Sequence, residues 1–221
     1  MSKRTSVRPS GKARKNLLGG QKRCSESELK ALALRLQKCK MEEGIAKANR
    51  DWLDAPFGEW CDNLCNHVHI MSKDHAMQIC VAMADMLSAR DALIMSLVAA
   101  YQANVGTKAM LDLAAEPHDP ANVIHLYRLL DRAFNDGDCS PDFTRCACGI
   151  DMLVGMAKLV SGRFEVQPLT AAAYGSWWMG SDDAIDYAQR ALSLDEQCTL
   201  ARIICSAINQ DLQPAWRIER P

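Results

Sequence analysis

The sequence predicts an all-α fold, an irregular multi-helix bundle with a C-terminal tetratricopeptide-like helical hairpin. Three observations carry this. Hydrophobic residues make up 48% of the 221-residue chain but aromatics only 6%, a balance that suits close-packed helices better than sheets. Apolar residues recur at three- and four-residue steps, and no convincing strand alternation is found. The joints between the apolar runs are short, which implies antiparallel neighbours.

Residues 1–24 read as a disordered basic tail and residues 25–221 as one helical domain. The tail is rich in Lys, Arg, Ser and Gly, and Gly19-Gly20 interrupts any helix. Ser25 and Glu28 have capping-box spacing, and Leu29, Leu32, Leu36 and Cys39 form one apolar stripe, so a helix is expected from Ser25 to about Ala48. Pro56 and Gly58 mark a break, followed by a short helix over Glu59–Cys65. Ser72 starts a helix whose inward face is Met77, Cys80, Val81 and Ala84. Ser88 and Asp91 repeat the capping-box spacing ahead of a segment that is apolar nearly all round and therefore central.

Gly106 ends that helix, and Thr107–Ala115 and Ala121–Asn135 follow, the latter with Val123, Leu126, Leu130 and Phe134 inward. Pro141 suits the first turn of a stretch to Val160, and Pro168 is expected to open a helix to Met179. Asp182–Leu194 and Glu196–Asn209 complete about nine or ten helices.

The net charge of −1 conceals an asymmetry. Lys3, Arg4, Arg8, Lys12, Arg14, Lys15, Lys22 and Arg23 stand in the first 23 residues with no acid, leaving 18 basic against 27 acidic residues in the rest. Such an arm could contact nucleic-acid phosphates with salt-dependent affinity, and its lack of aromatics implies sequence tolerance. It could equally serve as a solubilising tail or lean on the acidic body. No secretory signal and no membrane anchor is read. The ten cysteines are therefore expected to stay reduced in the cytoplasm, many as small core residues.

The segment Leu169-Thr170-Ala171-Ala172-Ala173-Tyr174-Gly175-Ser176-Trp177-Trp178-Met179-Gly180-Ser181-Asp182-Asp183-Ala184 is followed by Ala188, Ala191-Leu192, Asp195, Leu200-Ala201, Ile203-Ile204 and Leu212-Gln213-Pro214. It resembles the closing segment of the actinobacterial domain-of-unknown-function family 4192, and Leu87-Ser88-Ala89-Arg90-Asp91-Ala92-Leu93 resembles that family's arginine-aspartate helix start. The resemblance covers Ser72 to Arg217. Ser181 replaces the usual Asp after Gly180, Gln213 stands where a small residue is common, and the family's mixed α/β N-terminal half has no counterpart here. The resemblance implies a helical fold and an actinobacterial or actinophage origin, and no reaction. The same segment also looks like one tetratricopeptide-type hairpin, with Ala184 and Ala191 seven apart. Within it, Trp177 is expected to be buried against the alanine-lined helix. Trp178 is expected at the rim as a candidate partner-binding residue; Arg90 is the other candidate, read as facing solvent or a partner carboxylate beside Asp91.

Cys61, Cys65, His67 and His69 form the densest set of metal-type ligands and could close a tetrahedral zinc site. Their spacing matches no familiar finger, and the plainer reading is two core thiols followed by solvent-facing histidines, with no cofactor. Cys146-Ala147-Cys148 reads as packing. No nucleophile elbow, phosphate loop, dinucleotide fingerprint or zinc-protease motif is present. The expected function is a non-enzymatic interaction or scaffolding module with an unidentified protein partner. The alternative is a nucleic-acid-associated accessory protein tethered by its tail.

Overall fold

The computed structural model describes residues 22–98 and 106–218. Among these it is an all-α bundle of ten helices: α1 (Glu26–Glu43), α2 (Ile45–Asn66), α3 (Lys73–Asp85), α4 (Leu87–Val98), α5 (Thr107–Ala115), α6 (Pro120–Asn135), α7 (Phe143–Leu159), α8 (Arg163–Trp178), α9 (Asp183–Leu194) and α10 (Thr199–Asn209). No described helix is long and apolar enough to cross a membrane. Lys3, Arg4, Arg8, Lys12, Arg14 and Lys15 lie outside the described residues, as do the side chains of Leu130 and Phe134.

The capping box at the head of α1 forms as its sequence spacing requires: Glu28 N–H donates to Ser25 Oγ, and Ser25 N–H donates to the Glu28 carboxylate at 2.7 Å. The expected run to Ala48 is cut at Gly44, whose φ of 86° is a left-handed conformation that a side chain would resist. The break expected at Pro56 does not occur; α2 runs through it. Proline removes one helical N–H and costs about 3 kcal/mol in a helix interior. Here Leu53, Phe57, Trp60 and Leu64 bury one face on either side of Pro56, and that burial outweighs the lost bond. Pro168 likewise lies inside α8, because that helix starts earlier, where Gly162 N–H donates to the Glu165 carboxylate at 3.1 Å. Ser88 is not a cap either. It sits inside α4, and its hydroxyl donates to Ala114 O at 2.8 Å, which ties α4 to α5.

The core centres on α8, which packs against α3, α4, α7, α9 and α10. Only Arg163, Gln167 and Trp177 of its sixteen residues are not buried. Small residues make this crowding feasible. A Cβ on Gly175 would lie 3.1 Å from Ile150 Cγ1 of α7, so the two helices approach at that level through the missing side chain. α9 returns antiparallel to α8, and Ala184, Ala188 and Ala191 form its buried face.

This packing reverses the expected roles of the two tryptophans. Trp178 is fully buried, whereas Trp177 is half-buried, edge-on to Tyr174 at 5.7 Å, and donates through Nε1 to Leu212 O at 3.1 Å. The sequence argument assumed that the indole would fill the alanine-lined α9 side. With α8 enclosed by five helices, alanine content does not mark a single inward direction. Trp178→Ala is expected to cost about 3–5 kcal/mol, as other large-to-small core changes do, and Trp177→Ala less than half of that. Urea midpoints of the two variants check the order.

Candidate functional site

The C-terminal part of the chain builds an open groove. α8 ends at Gly180, and Ser181 N–H donates back to Ser176 O at 2.8 Å. α10 ends in a turn through Asp211, with Leu212 N–H donating to Ala207 O at 2.8 Å. The chain then crosses the end of α8 as a strap. Trp177 Nε1 holds it at Leu212 O, and Trp216 Nε1 donates to Trp178 O at 3.1 Å. Trp216 also stands edge-on to Phe143 at 5.6 Å, which anchors the strap on α7.

Between strap, α9 and α10 lies a trough of about 340 Å³. Trp177, Ile185, Ile208, Leu212 and Pro214 give it apolar walls, and Ser181, Asp182, Asp211, Gln213 and Arg217 give it polar ones. The Arg217 guanidinium lies over Gly180, where any Cβ would meet it at 2.5 Å. It therefore sits beside the C-terminal carbonyls of α8, whose partial negative charge it complements. Mixed walls of this kind can bury an apolar side chain while bonding the polar groups beside it.

A second trough of about 290 Å³ lies between α1, α2 and α3 and includes Cys39, Trp52 and His75. Glu59 accepts from Ser72 N and Ser72 Oγ, both at 2.6 Å, and is paired with His75 Nδ1. An imidazole held by a carboxylate supplies two of the three groups of a nucleophilic triad, but Cys39 sits at the other end of the trough. Gln37 and Lys40 of α1 both reach Asp85, so Cys39 lies level with the far end of α3. Ten residues along the helix separate that level from His75, about 15 Å of rise. The Glu59 cluster instead fastens the N-terminus of α3 to α2.

The sequence-predicted zinc ligands are not brought together. Cys61 is half-buried 3.5 Å from Met110 Sδ, Cys65 and His67 are exposed, and His67 caps α2 with φ 56°. His69 turns to Asp151 of α7, with Nδ1 2.7 Å from Oδ2. Among the described residues no three His, Cys, Asp or Glu side chains converge. Arg90 is not solvent-facing. It is 8% exposed, bonds Asp91 Oδ1 through Nε and Nη2 at 2.9 and 2.7 Å, and reaches Gln167 of α8 at 3.0 Å. The adjacent carboxylate offsets the charge that is buried. Trp178, as shown above, is inaccessible. Neither side chain is exposed. The groove was not foreseen because its walls come from two separated stretches, residues 177–185 and 208–217.

Of the two described tail residues, Lys22 is exposed and Arg23 is engaged. Arg23 Nε donates to Val160 O at 2.7 Å, its Nη2 pairs with Glu165, and Cys24 N–H donates to Leu159 O at 2.8 Å. Arg190 of α9 bonds the other Glu165 oxygen at 3.1 Å. The buried carboxylate thereby joins the start of the domain, α8 and α9. Comparison with protein-family models, with curated proteins and with solved structures yields no match.

Glu59 sets an acid limit. Burial raises its carboxyl, but the hydrogen bonds from Ser72 and His75 outweigh burial and leave it below the ordinary value. A carboxyl depressed in the folded state contributes stability above its unfolded value and loses it as pH falls through the folded one. Unfolding free energy should therefore drop more steeply below about pH 4.5 in the native chain than in Glu59→Gln. At neutral pH the variant should already be about 1 kcal/mol less stable. Denaturant titrations across pH 3–7 check both.

Proposed function

We propose that the chain is a non-enzymatic interaction module of the cytoplasm whose C-terminal groove takes an extended peptide segment from a partner protein. The observation that carries this reading is the trough's lining: aliphatic walls and an indole edge beside Asp182 and Asp211. An apolar side chain fits the walls, and a neighbouring Lys or Arg is favoured by the two carboxylates. We also read Ser72–Arg217 as related to the helical half of family 4192, on its short motifs alone.

A second reading is favoured by one observation, the eight basic residues without an acid in residues 1–23. On that reading the arm holds the module on nucleic acid by phosphate contacts. Arg23 contributes less than its charge suggests, because it is already paired with Glu165.

One set of measurements separates the two. Peptides selected from a random library on the full chain should bind with Kd of about 1–100 μM, the range of −8 to −5.5 kcal/mol. They should lose binding in Ile185→Glu or Asp211→Lys and keep it in Met41→Glu, a change on the exposed face of α1. Selection of no groove-dependent peptide would defeat the first reading. Retention on duplex DNA that falls with salt and vanishes on deletion of residues 1–22 would favour the second.

A further inference from the structure

The turn between α2 and α3 and one face of α7 enclose a small sulfur-lined cavity. On α7, Cys148, Met152, Gly155, Met156 and Leu159 recur at three- and four-residue steps and share a face. Across from them, the turn supplies His69 and Met71. Met71, Met152 and Met156 are 5%, 1% and 1% exposed, and with His69 they line a cavity of about 10 Å³. The Asn63 amide donates to Met71 Sδ at 3.4 Å and to Met152 Sδ at 3.8 Å, so two thioethers from distant parts of the chain come within reach of one group, which an ion would have to displace.

We propose that this cavity is a site for a soft monovalent metal ion, copper(I) or its analogue silver(I), with the thioethers of Met71, Met152 and Met156 and the imidazole of His69 as its donors. Thioether and imidazole are neutral, polarisable donors, a set that suits copper(I) and disfavours magnesium and calcium. His69 is already arranged as a ligand would be. The Asp151 carboxylate holds its Nδ1 at 2.7 Å, which fixes the proton there and leaves the Nε2 lone pair as the donor. The same carboxylate supplies one negative charge, matching one positive charge. The volume is about that of one water-sized sphere, which suits a bare ion and excludes an organic ligand. His69 is about one-third exposed and marks the entry path. Three of the four proposed donors are thioether sulfurs.

Methionine also fills core gaps without binding anything, and the experiment is chosen to tell the two apart. The full chain, labelled at its methionine methyl carbons, has eleven such probes. Accessible thiols are first alkylated in the native state, because Cys65 is exposed and Cys39, Cys61 and Cys205 are half-buried. Silver(I) is then titrated to one equivalent. The expected result is that three resonances move together, and that single Met71→Leu, Met152→Leu and Met156→Leu variants assign them. Copper(I) competition against a chromophoric chelator should show a loss of about tenfold or more in Asp151→Asn, as for other residues that orient a ligand. The proposal is overturned if the three methyls stay in place at one equivalent. It is equally overturned if they move only together with the other eight, since that reports unfolding. These methyl readouts come from the unsubstituted chain, so they do not depend on any variant folding.

Discussion

The constraint on which the rest of the structure depends is the near-total enclosure of α8. A helix with thirteen of sixteen residues buried must satisfy every neighbour at once. Its composition makes that feasible: Ala171, Ala172, Ala173 and Gly175 let several helices approach one axis, and Phe164, Leu169 and Trp178 fill the space between. Two of its buried polar side chains are bonded within the helix or at its start. Thr170 Oγ1 donates to Val166 O at 2.7 Å, and Glu165 is held by two arginines and a backbone amide. Both ends of the described chain also converge on this helix, Arg23 at its first turn and Trp216 at its last. The groove follows from this, since the strap that walls it is held by the carbonyl of Trp178 and the indole of Trp177.

The helical character was legible because periodicity and capping are local. Ser25 with Glu28, the all-apolar run of α4 and the span Thr107–Ala115 depend on neighbours a few residues away, and they form as read. What the sequence misjudged depends on long-range packing. Pro56 and Pro168 are breakers by local rules, yet each is held in a helix whose buried face outweighs one missing hydrogen bond. Ser88 with Asp91 has the spacing of a cap, but α4 already begins at Leu87, so Ser88 lies inside the helix and donates to Ala114 O of α5. The Trp177–Trp178 order was a matter of helical phase, and phase carries little information when a helix is enclosed on five sides.

The candidate site was less legible for the same reason. Cys61, Cys65, His67 and His69 are close in sequence, but a helix ending at Asn66 sends them in different directions. The groups that do meet come from far apart. Met71 and Met152 face one amide, and Trp177, Ile208 and Leu212 border one groove. Clusters of chemistry-bearing residues along a helical chain are weak guides to sites, because the helix turns successive residues about 100° apart. The i, i+4 face of α7 was readable as periodicity; that its partners would be His69 and Met71 was not.

If α8 organises the bundle, its protection should exceed that of every helix at the periphery. Native-state hydrogen exchange measures this directly, residue by residue, as an opening free energy. The amides from Leu169 to Trp178 should exchange last, at the free energy of global unfolding. Those of α1, and of α6, which packs on α4, α5 and the strap at Ala215–Arg217, should exchange earlier. Exchange of the α8 amides together with or ahead of α1 and α6 would contradict the account and place the stabilising centre elsewhere in the bundle.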